Sequence, residues 1–147
     1  MAAADLVNTK VPGKVTTDGV RSNVSTVLAY ASAWIGGNGC IPLNHLMEDA
    51  ATAEIARVQL WQWVHNGVRD DTGATITADY ISKLTDAAVP EVRKAVPALR
   101  DQHLRIVAKY LKEQVCRQWP SEFLTSDLMP YLAAADGVPA SWQRSML

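Results

Sequence analysis

Cysteine and phenylalanine are scarce in this 147-residue chain, which has two cysteines, Cys40 and Cys116, and a single phenylalanine. Two cysteines so far apart, neither in a CxxC pattern, offer no disulfide framework and no zinc-finger spacing, so both are expected as reduced thiols. No apolar run approaches the roughly 20 residues that span a bilayer. The opening MAAADLVNTK also lacks the basic segment and apolar stretch of a secretory leader. Neither charge sign is in excess, with 14 Lys and Arg against 15 Asp and Glu. That balance lacks the positive surplus that phosphate backbones require. The expectation is a soluble chain with neither membrane nor nucleic acid as a partner, and no solenoid repeat or low-complexity tract is visible.

What is present is a chain 48% hydrophobic, long enough for one sizeable core and one domain over 1–147. Residues 1–17, with Pro12 and Gly13, read as a connector ending in the N-cap chemistry of Thr16, Thr17 and Asp18. From Gly19 to about Ile35, Val20, Val24, Val27, Leu28, Tyr30, Ala31, Trp34 and Ile35 recur at helical spacing, and Gly36 and Gly37 stop the helix. NGCIPLN, residues 38–44, reads as a loop because Gly39 and Pro42 suit neither a helix nor a central strand.

A second helix starts at Ala50 and stops at Gly67, with Ile55, Val58, Trp61 and Val64 on one face. Thr77 caps a short third helix over ADYISKLTDAA, which Pro90 interrupts. Pro97 fits the first turn of a long fourth helix reaching Trp119 and Pro120. Thr125 caps a last helix that Pro130 bends, and Gly137 and Pro139 release a tail at 141–147. No segment alternates convincingly as a strand. The fold class predicted is all-α, a bundle of about five helices with antiparallel neighbours.

The chemistry-bearing stretch is CIPLNHLMEDAATAEIAR, residues 40–57, in which two adjacent carboxylates, Glu48 and Asp49, stand directly before a helix. On residue physics alone Asp49 is best read as an N-cap, because a carboxylate at a helix N-terminus is favoured by about 0.3 to 1 kcal/mol. Leu46 and Met47 read first as core packing, and an isolated Cys40 as a small buried apolar residue. Glu54 and Arg57, three apart, read as a helix-surface ion pair of a few tenths of a kcal/mol. Trp61 and Trp63 face different directions, so one of them packs in the bundle. His45, His65 and His103 show no HExxH or other ligand spacing, so no metal site is expected in this chain.

NGCIPLNHLMEDAATAEIARVQLWQWVHNG resembles the signature of the malate synthase family, where a Gly-Cys loop leads to Leu-Met-Glu-Asp-Ala-Ala-Thr-Ala-Glu and a Trp-rich helix. The likeness continues upstream through GVRSNVSTVLAYASAWIGG and, more weakly, downstream in WPSEFLTSDLMPYL. The resemblance implies the family's C-terminal helical domain, which covers the mouth of a TIM barrel. It also implies condensation of acetyl-CoA with glyoxylate and water to malate and CoA in the glyoxylate cycle.

By the same resemblance Asp49 is the general base, with Met47, Glu48 and Cys40 as substrate neighbours. Mg2+ would be held by the barrel, outside this chain. The connector-like start fits a fragment or truncated gene product, and such a chain alone is expected to be inactive. The terminal Ser145-Met146-Leu147 resembles an SKL-type peroxisomal or glyoxysomal address, with Met146 where that signal carries a basic residue. The alternatives are a non-enzymatic helical binding module derived from a truncated malate synthase, and a metal hydrolase built on His45, Glu48 and Asp49.

Overall fold

A computed structural model describes Val7 and residues 13–132. The start of the connector, the helix end near Gly137 and Pro139, and the Ser145-Met146-Leu147 tail lie outside the described residues. Among the described residues are five helices: α1 (Thr17–Ile35), α2 (Ala50–His65), α3 (Ala78–Ala95), α4 (Asp101–Gln114) and α5 (Leu124–Leu132). Between α1 and α2 lies a small antiparallel hairpin, β1 (Ile41–Leu43) and β2 (Leu46–Glu48). The predicted five-helix, mostly α bundle is the observed one. None of these helices is long and apolar enough to cross a membrane.

The bundle is organised around α1, which packs against all four other helices. Its N-cap is Thr16, whose hydroxyl accepts from Gly19 N at 3.0 Å. From Thr26 to Ala33 every residue is buried, so this stretch has no solvent face. A helix apolar all round is one enclosed by its neighbours. The small side chains Ala29, Ala31, Ser32 and Ala33 let those neighbours approach.

Four helix boundaries differ from the sequence reading. Helix α3 runs through Pro90 to Ala95. A proline in a helix interior sacrifices the bond to the carbonyl four residues earlier, here Asp86. Both Pro90 and Asp86 are exposed, so water can serve that carbonyl, while Ala88 and Val92 keep the buried face continuous. Helix α4 starts at Asp101 rather than in the turn at Pro97, and ends at Gln114, short of Trp119. Arg93 fastens the α3–α4 junction, donating from Nε to Asp101 at 2.7 Å and from Nη1 to the Pro97 carbonyl at 2.5 Å. Thr125 does not cap α5 but lies inside it.

The hairpin replaces the loop expected at 38–44. Its two-residue turn places Asn44 at φ 50° and His45 at φ 66°, both in the left-handed region. That is the type I′ geometry whose twist matches paired strands. Leu43 pairs with Leu46 next to the turn and Pro42 with Met47. Because hydrogen-bonded and non-bonded pairs alternate, Pro42 falls at a non-bonded pair, where its missing N–H faces away from the partner strand.

A second polar anchor joins the start of α1 to the Asp70–Ala74 turn. Asp70 accepts from Thr72 N, Thr72 Oγ1, Ala74 N and Tyr80 Oη at 2.6 to 3.0 Å, and from Thr17 Oγ1 at 3.2 Å. The Thr72 hydroxyl is the largest of the influences that hold the Asp70 carboxyl at about 2, below its usual range. His103, in contrast, is pulled down from its ordinary value by burial against α1, where Nδ1 meets the Ser32 carbonyl at 3.3 Å.

Asp70 and His103 set how stability depends on pH. Both pKa values are depressed, so in each case acid favours the unfolded chain. The contribution of His103 is intact above about pH 6.5 and declines as pH falls from there through its lower folded value. That of Asp70 is intact above about 3.8 and is lost as pH falls through about 2. Urea titrations from pH 7 to pH 2 should show stability falling in two windows, and His103→Gln should flatten the upper one only. His45→Gly should raise stability by about 1 kcal/mol by relieving the left-handed cost; a lower urea midpoint would contradict the turn geometry.

Candidate functional site

The hairpin and the start of α2 form one unit. Ile41 and Leu43 are buried and seat β1 on α1, whereas β2 stands outside, with Leu46 64% and Met47 66% exposed. Neither Leu46 nor Met47 packs in the core as the sequence reading had it, because β1 takes up the core-facing position of the hairpin. Cys40 is likewise exposed, not buried, since it precedes β1 on the open side of the glycine turn. Glu48 is half-buried opposite Ile41.

Asp49 follows β2 with extended backbone, φ −121° and ψ −171°, and is the N-cap of α2. Its Oδ1 accepts from Thr52 N at 3.2 Å and from Thr52 Oγ1 at 3.4 Å. Its Oδ2 has no protein partner among the described residues, and the side chain is exposed. One oxygen is thus used to fix the carboxylate and the other faces outward. Capping and chemistry are compatible because they use different oxygens.

The sequence reading placed Tyr30 on the apolar face of the first helix and gave it no part in the site. This α1 residue is 1% exposed. Burial, then the charges of Asp49, Cys40 and Glu54, push its phenol above the usual tyrosine range. Tyr30 therefore lies behind the same corner. Its only sequence signal is a phenol within an otherwise apolar helical run.

The buried face of α2 is Ala53, Ala56, Arg57 and Leu60, with Trp63 and Val64 packed at its edge. Ile55, expected on that face, is 61% exposed. Arg57 is the larger departure: it is 1% exposed and not part of a surface pair. Its Nε and Nη2 donate to Glu54 Oε2 at 2.9 and 2.6 Å. Nη1 reaches Ser121 Oγ at 2.9 Å and Gln114 Oε1 at 3.3 Å, and Nη2 reaches the Ser121 carbonyl at 2.9 Å. The other Glu54 oxygen accepts from Leu124 N, and Trp61 Nε1 donates to the Arg117 carbonyl at 2.9 Å.

Residues 117–124 therefore run antiparallel along α2, tied at Trp61, Arg57 and Glu54 in turn. This strap carries Trp119 and Phe123, both exposed, so that exposed apolar side chains stand on the hairpin, on α2 and on the strap.

The histidines are dispersed: His45 in the hairpin turn, His65 stacked on Trp61 at 4.2 Å, and His103 under α1. Among the described residues no three His, Cys, Asp or Glu side chains are grouped to hold a metal ion. A groove of about 790 Å³ between α3 and α4, lined among others by Asp86, Arg105, Lys109 and Cys116, includes none of Cys40, Met47, Glu48 and Asp49.

The family model described as malate synthase, C-terminal, matches residues 14–132. A glyoxysomal malate synthase of Candida tropicalis is 46% identical over 91 residues, 61% of this chain and 16% of the relative. A bifunctional glyoxylate cycle protein of Caenorhabditis elegans is 43% identical over 115 residues, 78% of this chain and 12% of the relative. A glyoxysomal malate synthase of Glycine max is 33% identical over 125 residues, 82% of this chain and 22% of the relative. This chain thus spans less than a quarter of each of these relatives. The family match takes in α1, the hairpin and the Asp49 corner together with α2 to α5, and the chain belongs to the malate synthase C-terminal domain family.

Proposed function

We propose that this chain is the helical C-terminal part of a malate synthase and supplies Asp49 as the general base in the condensation of acetyl-CoA with glyoxylate. The observation that carries the reading is the exposed Asp49 carboxylate, fixed through Oδ1 at the start of α2 with Oδ2 unengaged among the described residues. In the reaction, an Asp49 oxygen takes a proton from the acetyl methyl group, and the C–H electron pair becomes the enolate of the thioester. The enolate carbon attacks the aldehyde carbon of glyoxylate, whose oxygen gains the electron pair and then a proton. Water next cleaves the thioester, releasing CoA and malate.

The methyl group is a weak carbon acid, so the enolate needs positive or hydrogen-bonding groups around its oxygen. Those groups, and the Mg2+ expected for the enzyme, belong in this reading to a TIM barrel elsewhere in the full-length protein. The described residues form no site for the ion. Met47, Glu48 and Cys40 surround the base, with Met47 giving an apolar wall toward the acetyl end of CoA. The exposed Leu46, Met47, Ile55 and Phe123 support docking of this domain against the remainder of the enzyme, which would cover them. The same surface suits the second reading, a binding module without catalysis. Glyoxysomal relatives support a peroxisomal or glyoxysomal location.

Asp49→Asn in the full-length enzyme separates the two readings. Asparagine caps a helix about as well as aspartate, so the unfolding midpoint should hold. The amide cannot accept the methyl proton, so kcat should fall by about 10²- to 10⁴-fold. Turnover near that of the unmodified enzyme would remove Asp49 from the mechanism and favour the binding module.

A further inference from the structure

Among the described residues the Asp49 carboxylate is held only by Thr52 of its own helix, and Leu46 and Met47 of the strand before it are exposed. Its position is therefore only as fixed as the first turns of α2. On one side those turns rest on α1 through the apolar, non-directional contacts of Ala53, Ala56 and Leu60, and the one directional tie to α1 among the described residues, Asn23 Nδ2 to Gln59 Oε1 at 2.9 Å, comes further along α2. On another side lie the directional ties to the strap: Glu54 to Leu124 N, and Arg57 to both Ser121 oxygens and to Gln114.

We infer that Arg57 is a positioning residue for Asp49, setting the axial register of α2 by locking its start to residues 121–124. This inference rests on Asp49 being the base. Apolar packing alone tolerates small slides of a helix, whereas a planar guanidinium fork accepts only one arrangement of its acceptors. Arg57 has its acceptors on three segments: Glu54 on α2, Gln114 at the end of α4 and Ser121 on the strap. Glu54 closes the ring by using one oxygen for Arg57 and the other for the strap backbone. A lysine at position 57 keeps the charge, but its donors radiate from one nitrogen and do not span the acceptors that Arg57 reaches from Nε, Nη1 and Nη2 separately.

The test uses Arg57→Lys in the full-length enzyme, with Glu54→Gln as the isosteric second variant should the first not fold. Two readouts are taken together: kcat against the KM for acetyl-CoA, and deuterium uptake in peptides covering 48–56 and 20–30. A displaced base should lower kcat by about 100-fold while KM stays within about twofold. Uptake should quicken in 48–56 and not in 20–30, a local loosening that general destabilisation would not give. Unchanged kcat, or unchanged uptake in 48–56, overturns the inference. Asp49→Asn is assayed alongside: full turnover in it removes the base and this inference with it, whereas its loss beside wild-type turnover in Arg57→Lys overturns the positioning role alone.

Discussion

A guanidinium with almost no solvent contact sits where α2, the end of α4 and the strap before α5 meet, and the arrangement of these parts depends on it. Burying such a charge is costly unless its donors are matched, and removing one partner of a buried pair typically costs about 3 to 5 kcal/mol. Arg57 meets that condition with Glu54, Gln114 and Ser121. Gln114 passes the network on to Asp127 of α5 at 2.9 Å. Tyr110, buried beside it, is pushed to about 12 by burial. An apolar cluster of the same volume could stabilise the bundle as well, but it would not specify which turn of α2 faces which strap residue.

The hairpin and the N-cap use that fixed helix. Ile41 and Leu43 hold the hairpin on α1, the left-handed pair Asn44 and His45 reverses the chain, and Asp49 ends the outer strand as it starts α2. A cap needs a carboxylate oxygen near the N–H of the third helical residue, and Thr52 provides both that N–H and a hydroxyl. The residue that begins the helix is thereby held in one orientation at the surface. Exposed apolar side chains stand on the hairpin, on α2 and on the strap, as the proposed docking against the rest of the enzyme requires.

Much of this was legible in the chain because helical periodicity is a local property. The five helices, the stop at Gly67, the Thr77 cap and the place of Asp49 before α2 all follow from residues within a few positions of one another. The hairpin was not legible: three-residue strands are too short to show alternation, Pro42 reads as a breaker, and Asn-His lacks the usual Asn-Gly turn signal. Pro90 misled because its outward position, which makes it tolerable, depends on the tertiary placement of α3. Arg57 misled most, since a Glu and Arg three apart look the same on an exposed helix and a buried one. Its deciding partners, Gln114 and Ser121, are far away in sequence, as are the charges of Asp49, Cys40 and Glu54 that act on the Tyr30 phenol.

The central claim, that Asp49 removes the methyl proton, is tested most directly by the deuterium isotope effect on turnover of acetyl-CoA carrying a trideuterated methyl group. In full-length enzyme with Asp49→Asn, loss of the base should make C–H cleavage the slow step, and the isotope effect should rise above that of the unmodified enzyme. An isotope effect and a turnover both equal in the two proteins would mean that proton removal does not depend on Asp49, and would contradict the account.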